Sequence, residues 1–442
     1  MQPKESNGLD SLIMANHVKQ GFAYLRSEEK HYVFLEPWRK VWADSNGSYS
    51  KTKSGIKCFE SPWGALEEFH AEMRNAGGSL PCAAGYFAYE LCSQIENIEP
   101  PELDLLNMPL YEFHSYNKLL VWQGGNVETQ DLGSRESFWK MSPAESETLP
   151  APRCEKLDLT LDQLEAELTL GSNFNGESYS KCVSDLIDMI RAGKVYQVNL
   201  SQQFDLPFSG SAFELHAAMA AVNPASRGAF LNSEGKFIIS SSPELFLKSK
   251  EGSLLTSPIK GTKLREGRDQ EEITALLHSE KNLAELAMIV DIERNDMGKI
   301  AEIGSVEVLS YPRIESTEQL HHLVADVCCK PLASVSFIDL MRAVFPSGSI
   351  TGAPKIAAMK LISKMEKRAR GVYTGSIGWM AGNGDFEFNV AIRTAQIVGE
   401  RLYFNAGGGV VYDSDPREEY LESLAKTKGF YLAYKSNVMN KY

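Results

Sequence analysis

The chain has 442 residues, 43% of them hydrophobic and 23% charged, an ordinary globular composition that excludes a mostly disordered, collagen-like or disulfide-scaffold protein. Forty-five Lys and Arg against 58 Asp and Glu give a formal net charge of −13, so the surface repels phosphate backbones and nucleic acid is not an expected partner. The N-terminus lacks the basic-then-apolar profile of a signal peptide, no run approaches the ~18 apolar residues of a membrane span, and the seven scattered cysteines contain no CxxC pair. These features predict a soluble cytoplasmic protein with reduced thiols and no membrane partner.

In chain order, residues 1–125 mix alternating runs such as Tyr32–Leu35 and Leu119–Trp122 with Gly/Pro punctuation, which predicts strands and turns. The polar stretch from about Gly124 to Pro152 reads as a linker or surface excursion. Val183, Leu186, Ile187 and Ile190 recur at helical spacing within Ser178–Arg191, and Gly193 sits where that helix would stop. A strand over Val195–Phe204 follows, then helices over 211–222, 271–298, 337–344, 354–366 and 416–430. Strands with Gly-rich turns fill 228–260 and 371–412.

The segment KFIISSSPELFLKSKEGSLLTSPIKGT (236–262) places two strand-like runs around a Glu-Gly bend. If the bend centres on Gly252, Glu244 and Lys260 become cross-strand neighbours with Cβ atoms about 4.5–5.5 Å apart. An acid and an amine at that distance tune each other's protonation. The same placement also describes a salt bridge on a wet face, and the residues by themselves leave both readings standing.

In SDPREEYLESLAKTKGF (414–430), Asp415 is placed as an N-cap and Pro416 as the first helical residue. Glu419, Glu422 and Lys426 then share one helical face, suited to a hard divalent cation beside an anion, or to plain i,i+4 salt bridging. Glu285 lies in a dense apolar stretch of KNLAELAMIVDIERND (281–296), where burial without a partner would be costly. The glycine-rich PSGSITGAPK (346–355), YTGSIG (373–378) and NAGGGV (405–410) are neither Walker A nor GxGxxG; consecutive glycines suit tight turns or close approach to an anionic ligand. His321–His322 lack the companions of a zinc motif.

Taken in order, SPELFL, SPIKGT, IVDIERND, FPSGSITGAPK, GSIGW, AIRTA and NAGGGVV…EEYLES resemble the chorismate-utilising enzyme family, densely from about Asn173 to Phe430 and more weakly in LPCAAGYFAYE (80–90). The resemblance implies an α/β (α+β) fold in which two antiparallel sheets form a sandwich wrapped by helices. Residues 1–150 would contribute an N-terminal region to that fold, and residues 170–440 would form the chorismate-binding catalytic region. It also implies Mg²⁺ held by Glu285, Glu419 and Glu422. Tyr373, Arg393, Gly408, Gly409 and Lys426 match positions that hold the two carboxylates of chorismate, and Thr262 and His322 match residues that line its ring.

Family members that make anthranilate resemble PIAGT where this chain has PIKGT, the form of the members that aminate chorismate at C4. The resemblance thus implies Lys260 as a nucleophile at C2 and Glu244 as the acid/base for the departing C4 hydroxyl. Its product would be 4-amino-4-deoxychorismate, a precursor of 4-aminobenzoate and folate. None of the cysteines lies in a GxCxG turn, so ammonia is expected from a separate class I glutamine amidotransferase subunit. Competing expectations are an anthranilate-forming chain with an unusual lysine, an isochorismate-forming isomerase, and a chorismate-binding relic without activity. An LLES-type stretch is absent, which argues against tryptophan inhibition.

Overall fold

A computed structural model describes residues 7–28, 30–142, 159–317 and 319–439. Its trunk is a pair of long antiparallel strands, Lys30–Asp44 and Tyr111–Gln123, in register from His31 opposite Trp122 to Ala43 opposite Tyr111. Two sheets grow from this trunk. One continues through Ala23–Ser27, Arg227–Ser233, Lys236–Ser242, Thr394–Val398, Arg401–Val410 and Gln197–Pro207. The other continues through Pro81–Phe87, Ser376–Ala381, Phe386–Asn389, Leu245–Lys250, Ser253–Ser257 and Leu320–Cys329; Ile259–Leu264 pairs further along the same edge of that last strand, and its far edge carries Glu307–Ser316. All of these pairings are antiparallel, giving the expected sandwich of two sheets.

Two connections cross from one sheet to the other: Lys236–Ser242 runs through Pro243 and Glu244 into Leu245–Lys250, and Phe386–Asn389 runs through Val390–Arg393 into Thr394–Val398. Between the sheets, Leu25, Phe34, Tyr86, Tyr116, Leu231, Ile238, Val372 and Ile377 form one apolar cluster. A larger cluster lies under the outer helices, where burying each large side chain is worth about 1.5–3 kcal/mol. The Gly176–Arg191 helix buries the predicted Val183, Leu186, Ile187 and Ile190 stripe and starts at an Asn175–Ser178 capping box. The Pro416–Met439 helix packs on Arg401–Val410, where the rings of Phe404 and Phe430 stack at 3.8 Å. None of the described helices is long and apolar enough to cross a membrane.

Three expectations are corrected. The helix expected over 271–298 is two, Asp269–Leu277 and Glu280–Gly298, because Ser279 accepts a hydrogen bond from the Asn282 N–H and starts a new helix. The expected linker from Gly124 begins instead as a hairpin: Gly124 and Gly125 both take positive φ and return the chain into the strand Asn126–Asp131. Residues 143–158 lie outside the described residues. Finally, the Glu251–Gly252 bend is present, but its ladder ends at Leu245 opposite Ser257. Lys260 has left that hairpin for a strand paired with Leu320–Cys329, so it is not the cross-strand partner of Glu244.

Candidate active site

Glu244 stands at the first sheet crossing and is fixed there from both connections. Its N–H donates to Ser242 Oγ at 3.2 Å and its carbonyl accepts from the Val390 N–H at 3.0 Å. The side chain is 4% exposed. The Ile259 N–H approaches Oε1 at 3.5 Å. Burial pushes the carboxyl above its usual range, opposed by a hydrogen bond from Ser349 and by the charges of Lys260 and Arg227. A buried carboxylic acid that holds its proton more tightly than usual is suited to general-acid work.

Lys260 reaches the same place from the other side of the PIKGT turn. The pairing Ile259–Val324 and Thr262–His322 is interrupted between the two pairs by a register shift, with Gly261 at φ +76°. That bulge turns Lys260 out of the ladder. Its Nζ donates to the Ser349 carbonyl at 3.1 Å. Loss of hydration pulls the amine below the ordinary lysine range against the opposing pull of Glu244, Glu285 and Glu422, while Lys426 adds to the depression. A larger share of neutral amine follows, which is the form able to attack carbon.

A second group of charges arrives on two helices. The Asp415 carboxylate accepts from the N–H groups of Arg417 and Glu418, the cap expected at the start of Pro416–Met439. On its inner face Lys426 Nζ lies 2.7 Å from Glu422 Oε1 and 2.9 Å from the Gly407 carbonyl. Glu419 accepts from Ser414 Oγ at 2.7 Å, and burial raises its carboxyl. Burial acts the same way on Glu422, yet Lys426, Lys281 and Lys260 outweigh it and hold Glu422 low. Glu285 is half-buried on Glu280–Gly298, and its charge reaches Lys260.

Gly408 faces this group directly. A Cβ there would sit 3.1 Å from Glu419 Oε2 and 3.7 Å from Glu422 Oε1; at Gly409 it would fall 2.1 Å from Gln197 Nε2. The glycines thus keep a cradle between strand and helix open. Glu419 and Glu422 offer it carboxylate oxygens, the donors that a hard cation such as Mg²⁺ prefers, beside the Lys426 ammonium.

The third wall carries His322 and Arg393. Thr262 Oγ1 and His322 Nδ1 are 2.9 Å apart, and burial together with the nearby Arg393 charge lowers the His322 pKa to about 4. His322 is therefore a neutral imidazole. Arg393 stands at the second sheet crossing, at φ +50°, with its charge felt by Glu244. His322 Nε2 and Arg393 Nη1 are buried without a hydrogen-bond partner, polar capacity suited to a bound oxyanion.

Tyr373 sits one layer away from these charges. It packs against Arg370, whose guanidinium is paired with the buried Glu366 and donates to the Ile350 carbonyl beside Ser349. The structure therefore gathers Glu244, Lys260, Arg393 and His322 with the helical Glu285, Glu422 and Lys426, and joins Tyr373 to them through the Gly348–Ile350 turn. Sequence reasoning missed Ser349, Ser414 and Gln197. Ser349 lies within the FPSGSITGAPK motif, which was a usable signal; Gln197 carried none.

The chorismate binding enzyme family matches residues 21–431. The chain belongs to that family. Aminodeoxychorismate synthase component 1 of Bacillus subtilis (strain 168) is 34% identical to it, covering 92% of each chain. Anthranilate synthase component 1 of Aquifex aeolicus is 37% identical, covering 92% of this chain and 83% of that one. Among solved structures, anthranilate synthase component I from Streptococcus pneumoniae TIGR4 superimposes with a TM-score of 0.75 at 26% identity, over 91% of this chain and 92% of that one. The menaquinone-specific isochorismate synthase MenF of Escherichia coli shares the fold, with a TM-score of 0.70 at 18% identity over 96% and 91% of the two chains.

Proposed function

We propose that this chain aminates chorismate at C4 to give 4-amino-4-deoxychorismate, in the cytoplasm and on the route to 4-aminobenzoate and folate. The observation that carries the reading is Lys260: a half-buried amine with a depressed pKa, opposite a buried carboxyl with a raised one. The neutral Lys260 amine adds to C2 of the ring as the double bond shifts and the C4 hydroxyl leaves, taking the proton of Glu244 to depart as water. Ammonia then attacks C4, the double bond shifts back, and Lys260 is expelled as a free amine with the enolpyruvyl ether intact.

Arg393, Tyr373, Lys426 and the N–H groups of Gly408 and Gly409 are assigned to the two substrate carboxylates, and Thr262 with His322 to the ring edge. Glu285, Glu419 and Glu422 would hold Mg²⁺, which supplies positive charge for a substrate carboxylate. Ammonia would come from a separate class I glutamine amidotransferase subunit, a reading supported by the component 1 naming of the relatives.

Anthranilate formation is the second reading, favoured by the Aquifex relative at 37% identity. Incubation with chorismate, Mg²⁺ and ammonium at alkaline pH, followed by mass analysis, separates the two. Aminodeoxychorismate retains the pyruvyl group and contains nitrogen. Anthranilate has lost the pyruvyl group, and isochorismate contains no nitrogen; either as the main product overturns the proposal.

A further inference from the structure

Behind the His322 wall lies a second group of ligating side chains. Asp269, Glu272 and His321 each offer an atom within 4.8 Å of the others. His321 is on the Leu320–Cys329 strand opposite Lys263, and alternation along the strand turns it away from the face used by His322. Asp269 and Glu272 come from the first turn of the Asp269–Leu277 helix.

Two of these atoms are stranded. His321 is 1% and Glu272 4% exposed, yet His321 Nε2 and Glu272 Oε2 have no hydrogen-bond partner. The other atom of each group is engaged: His321 Nδ1 lies 2.7 Å from Ser316 Oγ, and Glu272 Oε1 accepts from the Glu266 N–H at 3.0 Å. Ser316 Oγ can accept the Nδ1 proton, and in that tautomer His321 presents the Nε2 lone pair to two carboxylates, an arrangement that calls for a cation between them.

The two spacings from His321 bear on the kind of cation. Nε2 is 3.4 Å from Asp269 Oδ1 and 3.6 Å from Glu272 Oε2. Charge-assisted hydrogen bonds from an imidazolium would be about 2.7–2.9 Å. Ligands held ~2.0–2.1 Å from a tetrahedral zinc ion stand roughly 3.3–3.4 Å apart, close to what is observed. One imidazole with two carboxylates is also a donor set for Zn²⁺ rather than Mg²⁺. The Arg265 Nε–H donates to Asp269 Oδ1 at 3.0 Å and leaves that oxygen a lone pair, so it would act as an outer partner.

We propose that Asp269 Oδ1, Glu272 Oε2 and His321 Nε2 bind a tetrahedral divalent ion of the Zn²⁺ class, with water in the fourth place. Its role is structural. It ties the segment that follows PIKGT, and the helix after it, to the strand carrying His322. The proposal does not depend on which chorismate reaction the chain performs.

The test is Zn²⁺ binding to chelator-treated full chain in saturating Mg²⁺, read by metal analysis after gel filtration and by the visible spectrum of the Co²⁺ form. A single tightly held Zn²⁺ and a tetrahedral Co²⁺ band are expected. Both should be lost in His321→Ala and Glu272→Gln and kept in Glu422→Gln. Ser316 is exposed, so Ser316→Ala leaves folding unthreatened and should weaken binding by roughly 10–100-fold. No retained Zn²⁺, binding unchanged in both His321→Ala and Ser316→Ala, or loss only in Glu422→Gln would each overturn the proposal. So would an imidazolium at His321 detected by NMR at neutral pH in the presence of Zn²⁺.

Discussion

Replacing Lys260 by Met separates chemistry from stability, because two lysines near the Ser347–Ser349 turn have opposite surroundings. Lys355 donates to Asp296, to the Val344 carbonyl at 2.9 Å and to the Pro346 carbonyl at 3.0 Å, so all three of its N–H groups are used. Its side chain is 11% exposed and that of Asp296 is 2% exposed. Lys355→Met strands two carbonyls and part of a buried carboxylate, and should cost about 3 kcal/mol, the low end for a broken buried pair because Lys299 still reaches Asp296.

Lys260 has one described hydrogen bond, to Ser349, and a pKa pulled down by lost hydration, so its charged form is disfavoured where it stands. No ion pair to Lys260 is present among the described residues, so Lys260→Met breaks none, and relief from desolvating the amine offsets the one lost hydrogen bond, itself worth about 0.5–1.5 kcal/mol. Lys260→Met is therefore expected to unfold at an equal or higher urea concentration than the parent while forming no aminodeoxychorismate. A destabilisation of about 2 kcal/mol or more, or retained amination, would show that Lys260 serves the fold and refute its assignment as nucleophile.

Four further outcomes follow from the same geometry. Glu285→Gln and Glu422→Gln should each shift the Mg²⁺ dependence of activity to higher concentration and lower the maximum, since a neutral amide is a poorer ligand for a hard cation; superimposable Mg²⁺ titrations would remove these residues from the metal site. Gly409→Ala puts a methyl group 2.1 Å from Gln197 Nε2 and should raise KM for chorismate more than it lowers kcat, with Gly409→Ala/Gln197→Ala recovering part of the loss. Because the step needs neutral Lys260 together with protonated Glu244, the rate should pass through a maximum or plateau below pH 10.5, whichever group titrates first; a rise unbroken to pH 10.5 contradicts the depressed lysine. The chain alone should use ammonium but not glutamine, and robust glutamine use would point to an overlooked thiol site among the cysteines.

What the sequence disclosed depended on how local each signal was. The 183–190 stripe and the Asp415 cap are set by neighbours a few residues apart, and both are present. Ser279 splits a helix because one hydroxyl competes with a continuous apolar pattern, which periodicity averages away. The Glu244–Lys260 relation was less accessible. A hairpin count puts them opposite each other only if the ladder continues past Ser257, whereas the Gly261 bulge and the pairing with Leu320–Cys329 depend on a strand about 60 residues away. The ordered motifs pointed to the right neighbourhood, but not to the Ser349 carbonyl that holds Lys260 or the Gln197 amide that closes on Gly409.

The two sheet crossings explain why the charged groups meet where they do. A strand inside a ladder spends its N–H and C=O groups on neighbours and alternates its side chains, so consecutive residues cannot face one site. At a crossing the ladder breaks: Glu244 lies between Lys236–Ser242 and Leu245–Lys250, and Arg393 between Phe386–Asn389 and Thr394–Val398. The crossings are stitched together by Glu244 carbonyl to Val390 N–H, Ser242 Oγ to the Val390 carbonyl at 2.5 Å, and Ser241 N–H to the Arg393 carbonyl at 3.1 Å. Arg393 at φ +50° and Thr374 at φ +59° adopt left-handed backbone that non-glycine residues reach only at a cost of order 1–3 kcal/mol. Thr374, β-branched and immediately after Tyr373, is held there by accepting from Arg370 Nη1 at 3.1 Å. Strain in two residues beside the assigned carboxylate-binding positions is tolerated because the ladders on either side fix the ends of each connection. Anchoring at both ends of each connection holds an acid, an amine and a guanidinium whose Nη1 is buried without a partner in one site, with no ion pair among the three in the described residues.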